Sequence, residues 1–235
     1  MEPFVITVPR RGPGAWPAAH PVAPSSSRAP TAGLSPAARS GVADPSFGWS
    51  IAMAALSRAE HLGADYAVDG APTSPHPALS HNRRPDETRL EWLRGRYKCN
   101  QFVGDALAEA GWAMPTYRMP GGGQHYVNAE ALPQQRGHFS RITNSTQLRP
   151  GDVVVVDYPG RGANSAHAEV VTDVDPRRGT LHTVGAHADG AYPRDWSELL
   201  DGATYDARTQ SWKRYDGSRI YLLRAKRPLA AEVAR

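Results

Sequence analysis

Large apolar side chains are scarce through residues 9–45 and then return at regular intervals. Over 46–63, Trp49, Met53, Leu56 and Leu62 recur near the helical period after an Asp44-Pro45-Ser46 start signal, which predicts a first helix. Residues 98–110 carry a stronger helical pattern: Phe102, Val103, Ala106, Leu107 and Ala110 line one face, and Gly111 supplies the stop. Cys99 precedes Phe102 and Val103 by three and four residues, so it belongs to that inward face at the first turn. Between these helices, Pro72, Pro75, Pro77 and Pro85 mark 69–86 as a loop. Its His76, His81 and Asn82 are read as surface residues, because the histidines are not spaced like metal ligands on one helix face. Residues 87–95 read as a short helical lead-in, and 127–132 as a short helix after the Gly121-Gly122-Gly123 loop.

Beyond residue 150 the pattern changes to strand. A Pro150-Gly151 turn leads into the run Asp152-Val153-Val154-Val155-Val156-Asp157. β-Branched or alternating runs follow at 167–174, 180–184 and 219–224, with turns at 176–179 and near Gly217. Helix first and antiparallel meander afterwards is an α+β layout.

Composition divides the chain. Residues 9–45 are Pro, Ala, Ser, Gly and Arg with little to bury, so this segment cannot offset its ordering entropy and reads as a flexible leader. The expected division is a leader over 1–45, a catalytic domain over 46–228 and a tail over 229–235. The net charge of +4 comes from scattered Arg. That charge favours an acidic partner only in general terms, and no nucleic-acid reader pattern accompanies it. No apolar run approaches the roughly 20 residues that span a bilayer. The opening residues, with Glu2 in front and Arg10 and Arg11 behind, do not read as a secretory signal.

The chain has one cysteine, so no intramolecular disulfide forms and the thiol is a candidate nucleophile. A helix N-terminus favours a thiolate through its unpaired N–H groups and dipole, and Lys98 beside Cys99 adds a positive charge. The backbone N–H of Cys99 is placed to serve as an oxyanion donor. His167 opens a predicted strand directly after Asn164-Ser165-Ala166 and is the expected base. In alternation it shares a face with Glu169 and Val171, opposite Ala168 and Val170. A third group normally orients such a histidine. His182, on the next strand of the predicted hairpin, is the first candidate, with His187, Asp189, Asp195 and Glu169 as alternatives. Tyr97, Asn100, Gln101 and Glu169 are candidate substrate contacts, Trp92, Trp112 and Tyr117 candidate groove residues, and 121–125 a candidate lip. No metal or cofactor is required by this chemistry.

The segments Tyr97-Lys98-Cys99-Asn100-Gln101-Phe102-Val103, Leu148-Arg149-Pro150-Gly151-Asp152-Val153-Val154 and Ala166-His167-Ala168-Glu169-Val170-Val171 resemble the NlpC/P60 and CHAP superfamily in order and spacing across about 46–224. The resemblance implies a papain-like α+β domain that cleaves amide bonds in peptidoglycan stem peptides or between peptide and sugar. It also implies a structural role for Asp152. The first segment is similar to wall-degrading effectors that bacteria inject into rivals, which implies a monomer acting in the periplasm or at the cell wall, with an immunity or secretion partner. Glu169 departs from the family pattern, where a small residue is common. Two other readings fit the same scaffold: an acyltransferase that passes the thioester to an amine or lipid, and a binding module without chemistry.

Overall fold

A computed structural model describes residues 46–80, 87–120, 123–160, 165–226 and 228–229. The chain divides into Met1–Val42 and Ala43–Arg235. The first unit, and with it the expected leader, lies outside the described residues, as do His81, Asn82, Asn164 and most of the expected tail.

Helix α1 spans Ser46–Leu62. Its buried face is Ile51, Ala52 and Ala55, with Leu56, Ala59 and Leu62 packed beside them. Trp49 and Met53, expected on the inward face, are 52% and 56% exposed. The helical period was legible but its phase was not, because small alanines let the helix approach its neighbours closely while the largest side chains stay outside. One close approach is at the start of the helix, where a Cβ on Gly48 would lie 2.3 Å from the carbonyl oxygen of Pro150. Gly151, with φ +86°, sits against Gly48 in a conformation that favours glycine.

After a 3-10 turn at Gly63–Tyr66, the described part of the proline-rich loop holds a short helix, α2, Pro77–Ser80. His76 is buried here rather than at the surface: its ring meets Tyr126 edge-on, and its Nδ1 accepts from Ala78 N. The expected lead-in over 87–95 is reduced to a single 3-10 turn, Glu91–Leu93.

Helix α3, Cys99–Glu109, is the central helix, with both Cys99 and the run Gln101 to Ala108 buried. It ends where Gly111 predicts. Trp112 N donates to Leu107 O and Gly111 N to Ala108 O, the paired bonds of a Schellman cap around a glycine at φ +80°. A small ribbon follows, β1 (Thr116–Arg118) against β2 (Gln124–Tyr126). The helix expected at 127–132 is a 3-10 segment, Ala129–Gln134.

The remaining strands form one antiparallel sheet: β3 (Phe139–Arg141), β4 (Val153–Asp157), β5 (His167–Asp175), β6 (Thr180–His187), β7 (Gly190–Asp195), β8 (Thr204–Asp206), β9 (Ser211–Lys213) and β10 (Arg219–Ala225). The order is β7-β6-β5-β4-β10-β9-β8, with β3 also pairing β10. The valine run of β4 is buried on both faces because the sheet separates two cores. Val153 and Val155 join Phe102, Val103, Ala168 and Val170 against the helices. Val154 and Val156 join Val171, Trp196, Trp212 and Leu222 on the other side. Helices and an antiparallel sheet make the chain an α+β protein, and among the described residues no helix is long and apolar enough to cross a membrane.

The Pro-Gly-Asp turn is structural. Asp152 accepts from Arg149 N at 2.9 Å and from Arg224 Nε at 2.8 Å, pinning the start of β4 to β10.

Candidate active site

Cys99 is the first residue of α3, and Lys98 caps the helix without a side-chain bond. The Lys98 ammonium does not act on the thiol. It is buried and donates to the carbonyls of Ala67 (2.6 Å), Val68 (2.9 Å) and Arg96 (2.8 Å). Burial lowers it to about 8. Its role is to tie the Ala67-Val68 segment to the chain that enters α3 at Arg96. The Cys99 thiol approaches the carbonyl oxygen of Ala166 at 3.9 Å, which brings the head of the helix to the residue before His167.

His167 is the first residue of β5. Its Nε2 lies 2.7 Å from Glu169 Oε1, leaving Nδ1 for the thiol. Burial alone would depress this imidazole, but hydrogen bonds to Cys99 and Glu169, with their charges, raise it to about 9. Glu169 is fully buried. Burial pushes its carboxyl up, and the bond to His167, the charge of that ring and the bond from Thr183 Oγ1 outweigh burial, so it lies below the usual carboxylate range. The three side chains form a row from sulfur to imidazole to carboxylate, the arrangement in which the last group fixes the tautomer of the base.

His182, the first candidate for the third position, does not take part. It lies across from Asp173 in β5, its Nδ1 3.7 Å from that carboxylate, and its side chain is 45% exposed. The β5–β6 register runs Val170↔Val184 and Val171↔Thr183, with a bulge between Val171 and Asp173. Continued toward the start of β5, it puts Gly185 beside Glu169 and His187 beside His167. The rings of His167 and His187 are 4.9 Å apart, and His187 stacks on Tyr192 at 4.4 Å. Burial pushes His187 down to about 4. Counting outward from the predicted turn would have singled out His187 over His182. Asp195 caps Ser197, accepting from its backbone N and its hydroxyl, and Asp189 acts on this corner through a hydrogen bond with Tyr192 and through its charge near Tyr192 and His187.

Gly185 makes room for Glu169: a Cβ there would lie 2.3 Å from Glu169 Cγ. That dependence has no signature in the sequence, because it joins residues on different strands.

A cavity of about 340 Å³ opens in front of Cys99. Its walls include Trp92, Tyr97, Tyr117, His125 and Glu130, with Trp92 stacked on His125 at 3.8 Å. Of the candidate contact, groove and lip residues, Tyr97, Trp92, Tyr117 and His125 line this cavity. Trp112 is elsewhere, bridging to Pro228. Asn100 borders the cavity but its amide donates to Val127 O at 3.1 Å, and Gln101 gives its amide to both oxygens of Asp105 at 3.0 Å. Glu130 and Arg96 were missed; Glu130 accepts from Ala166 N at 3.4 Å and so braces the segment that carries the base.

The row of groups suits acyl transfer. The sulfur borders the cavity beside Ala166, the residue before His167, and the unpaired N–H groups at the first turn of α3 are available to an oxyanion formed at the sulfur. Comparison with family models, with curated proteins and with solved structures finds no match to this chain.

Proposed function

We propose that this chain is a cysteine-dependent hydrolase of amide bonds in bacterial peptidoglycan, on a papain-like scaffold of the NlpC/P60 and CHAP kind. The observation that carries the reading is the row Cys99, His167, Glu169, with His167 hydrogen-bonded on both sides. Cys99 sulfur attacks the amide carbonyl, forming the C–S bond while its proton resides on His167. The tetrahedral intermediate collapses with loss of the C–N bond, and the imidazolium gives its proton to the departing amine. Water, deprotonated by the neutral imidazole, then cleaves the thioester and restores the thiol. Glu169 holds Nε2–H throughout and stabilises the imidazolium.

Arg96 and Glu130 on the cavity wall suit a zwitterionic peptide better than an acyl chain, which favours hydrolysis of stem peptides over transfer to lipid. The setting that fits is the periplasm or the cell wall, the protein's own or a rival's. The test is mass spectrometry of muropeptides after incubation of purified sacculi with wild type and Cys99→Ala. Amide-cleaved products with wild type alone are expected; the same products with both proteins would exclude the mechanism.

A further inference from the structure

Behind the His167 ring, on the side away from Cys99, two histidine nitrogens converge on one carboxylate oxygen. Glu169 Oε1 lies 2.7 Å from His167 Nε2 and 3.4 Å from His187 Nε2, and the three atoms lie within 4.8 Å of one another. The first approach is a hydrogen bond and the second is not: among the described residues, His187 Nε2 is a buried atom without a hydrogen-bond partner, on a side chain only 13% exposed. Buried polar atoms are rarely left so, and one that faces a carboxylate across a gap invites a shared cation.

We infer that His167, Glu169 and His187 form a binding site for a divalent ion of the zinc class. Two imidazole nitrogens and one carboxylate are a ligand set for a borderline cation, with the fourth position open to water. Tetrahedral ligands on such an ion stand roughly 3.4 Å apart. The His187–Glu169 edge already has that length, and the His167–Glu169 edge needs to open by less than an ångström. The outer groups are in place as well. Thr183 Oγ1 donates to Glu169 Oε2 and fixes the carboxylate, and Tyr192 stacks on His187 and fixes its ring. The opposing group is Arg194, whose NH1 is 3.5 Å from Oε1; its side chain is 40% exposed, so it has solvent to turn into.

Ion binding and catalysis exclude each other. An ion on Nε2 leaves the ring proton on Nδ1, the nitrogen turned toward Cys99, and the ring then accepts no proton from the thiol. This consequence rests on the hydrolase reading above, whereas the binding itself does not.

The experiment is calorimetric titration of Zn²⁺ into full-length Cys99→Ala protein, from which the thiol ligand has been removed. One-site binding is expected, with no heat from Mg²⁺, a cation that prefers all-oxygen sites. Glu169→Gln and His187→Gln each weaken it by more than the roughly 10- to 100-fold that outer-shell changes cause. His187→Phe, which keeps the ring on Tyr192, removes a ligand with little change in packing and also abolishes binding, while Arg194→Gln tightens it. Binding that needs Cys99, or that survives His187→Phe with an unchanged circular dichroism spectrum, overturns the site. Absence of peptidoglycan cleavage by metal-free wild type, with zinc binding intact, would count against the hydrolase alone.

Discussion

His167 shows how one side chain's chemistry is set by what lies two positions along its own strand. Strand alternation brings residues i and i+2 to one face, so Glu169 reaches the imidazole without a loop or second element. Its carboxylate, together with Cys99, raises His167 to about 9 despite burial. The imidazolium must protonate the departing amine, so activity should fall on the alkaline side as His167 loses its proton, near pH 9. Glu169→Gln removes the charge that favours the imidazolium. The alkaline limb of kcat/KM should therefore move to lower pH, with a drop in rate of about 10²- to 10⁴-fold, the range general acid–base assistance supplies. A pH–rate profile of the variant that keeps the wild-type limb would remove Glu169 from the proton path. The same shift bears on stability. A histidine raised in the folded state contributes stability fully present below about pH 6.5 and lost as pH rises toward about 9. The melting temperature of wild type relative to His167→Gln should decline across that interval.

At the scale of elements, the sequence carried the hairpin of β5 and β6 but not its register. The turn at 176–179 and the alternation of His167 with Glu169 were legible from residue types, and both stand. The bulge after Val171 was not, since nothing in Val171-Thr172-Asp173 announces it. That one-residue slip puts His187 rather than Ala188 opposite His167, and His182 lies toward the other end of the strand in either register. β7 was overlooked for a different reason: Pro193 speaks against a strand, yet β7 is the edge of the sheet, where a missing N–H is tolerated. Lys98 was misassigned because neighbours in sequence need not share a direction, and its ammonium turns into a cage of carbonyls. The packing of Gly185 under Glu169 offers a test at this scale. Gly185→Ala must push the carboxylate off its seat, since the added carbon would sit 2.3 Å from Glu169 Cγ. Activity should fall nearly as far as in Glu169→Gln, while overpacking costs about 1–3 kcal/mol of stability. Urea unfolding alongside the rate measurement checks both, and a fully active Gly185→Ala would mean that Glu169 has no fixed seat. Gly104→Ala, where the new carbon would meet the Tyr126 ring at 2.4 Å, should destabilise to a similar degree without altering the pH profile.

Across the whole molecule, the nucleophile and the base hang on opposite faces of one sheet. Cys99 belongs to the core shared with the helices, whereas His167 and Glu169 lie on the face of Val154 and Val156, and the two sides meet only because His167 is the first residue of its strand. Such an arrangement holds only if α3 is fixed against the sheet, and a buried polar cluster fixes it. Asp105, in the middle of α3, accepts from Tyr66 at 2.7 Å, from Ser74, from Gln101 and from Tyr126, while Arg58 joins Tyr66 to Glu109. The cluster ties α1, α3, β2 and the proline-rich loop together nearly two turns along α3 from Cys99, and no periodicity reports it. Burial raises Asp105 to about 6, although the charge of Arg58 and hydrogen bonds from Ser74, Gln101 and Tyr66 oppose the rise. The folded state therefore binds this proton more tightly than the unfolded state does. Its contribution to stability is present below about pH 4 and is lost as pH rises through about 6, a loss on the order of 2–3 kcal/mol. Asp105→Asn keeps an amide of the same shape and no titrating proton. Relative to this variant, wild type should lose stability between pH 4 and pH 6 and then hold level. Parallel profiles for the two proteins would mean that Asp105 is as easily ionised inside the fold as outside it, and that the cluster clamps α3 by hydrogen bonds alone.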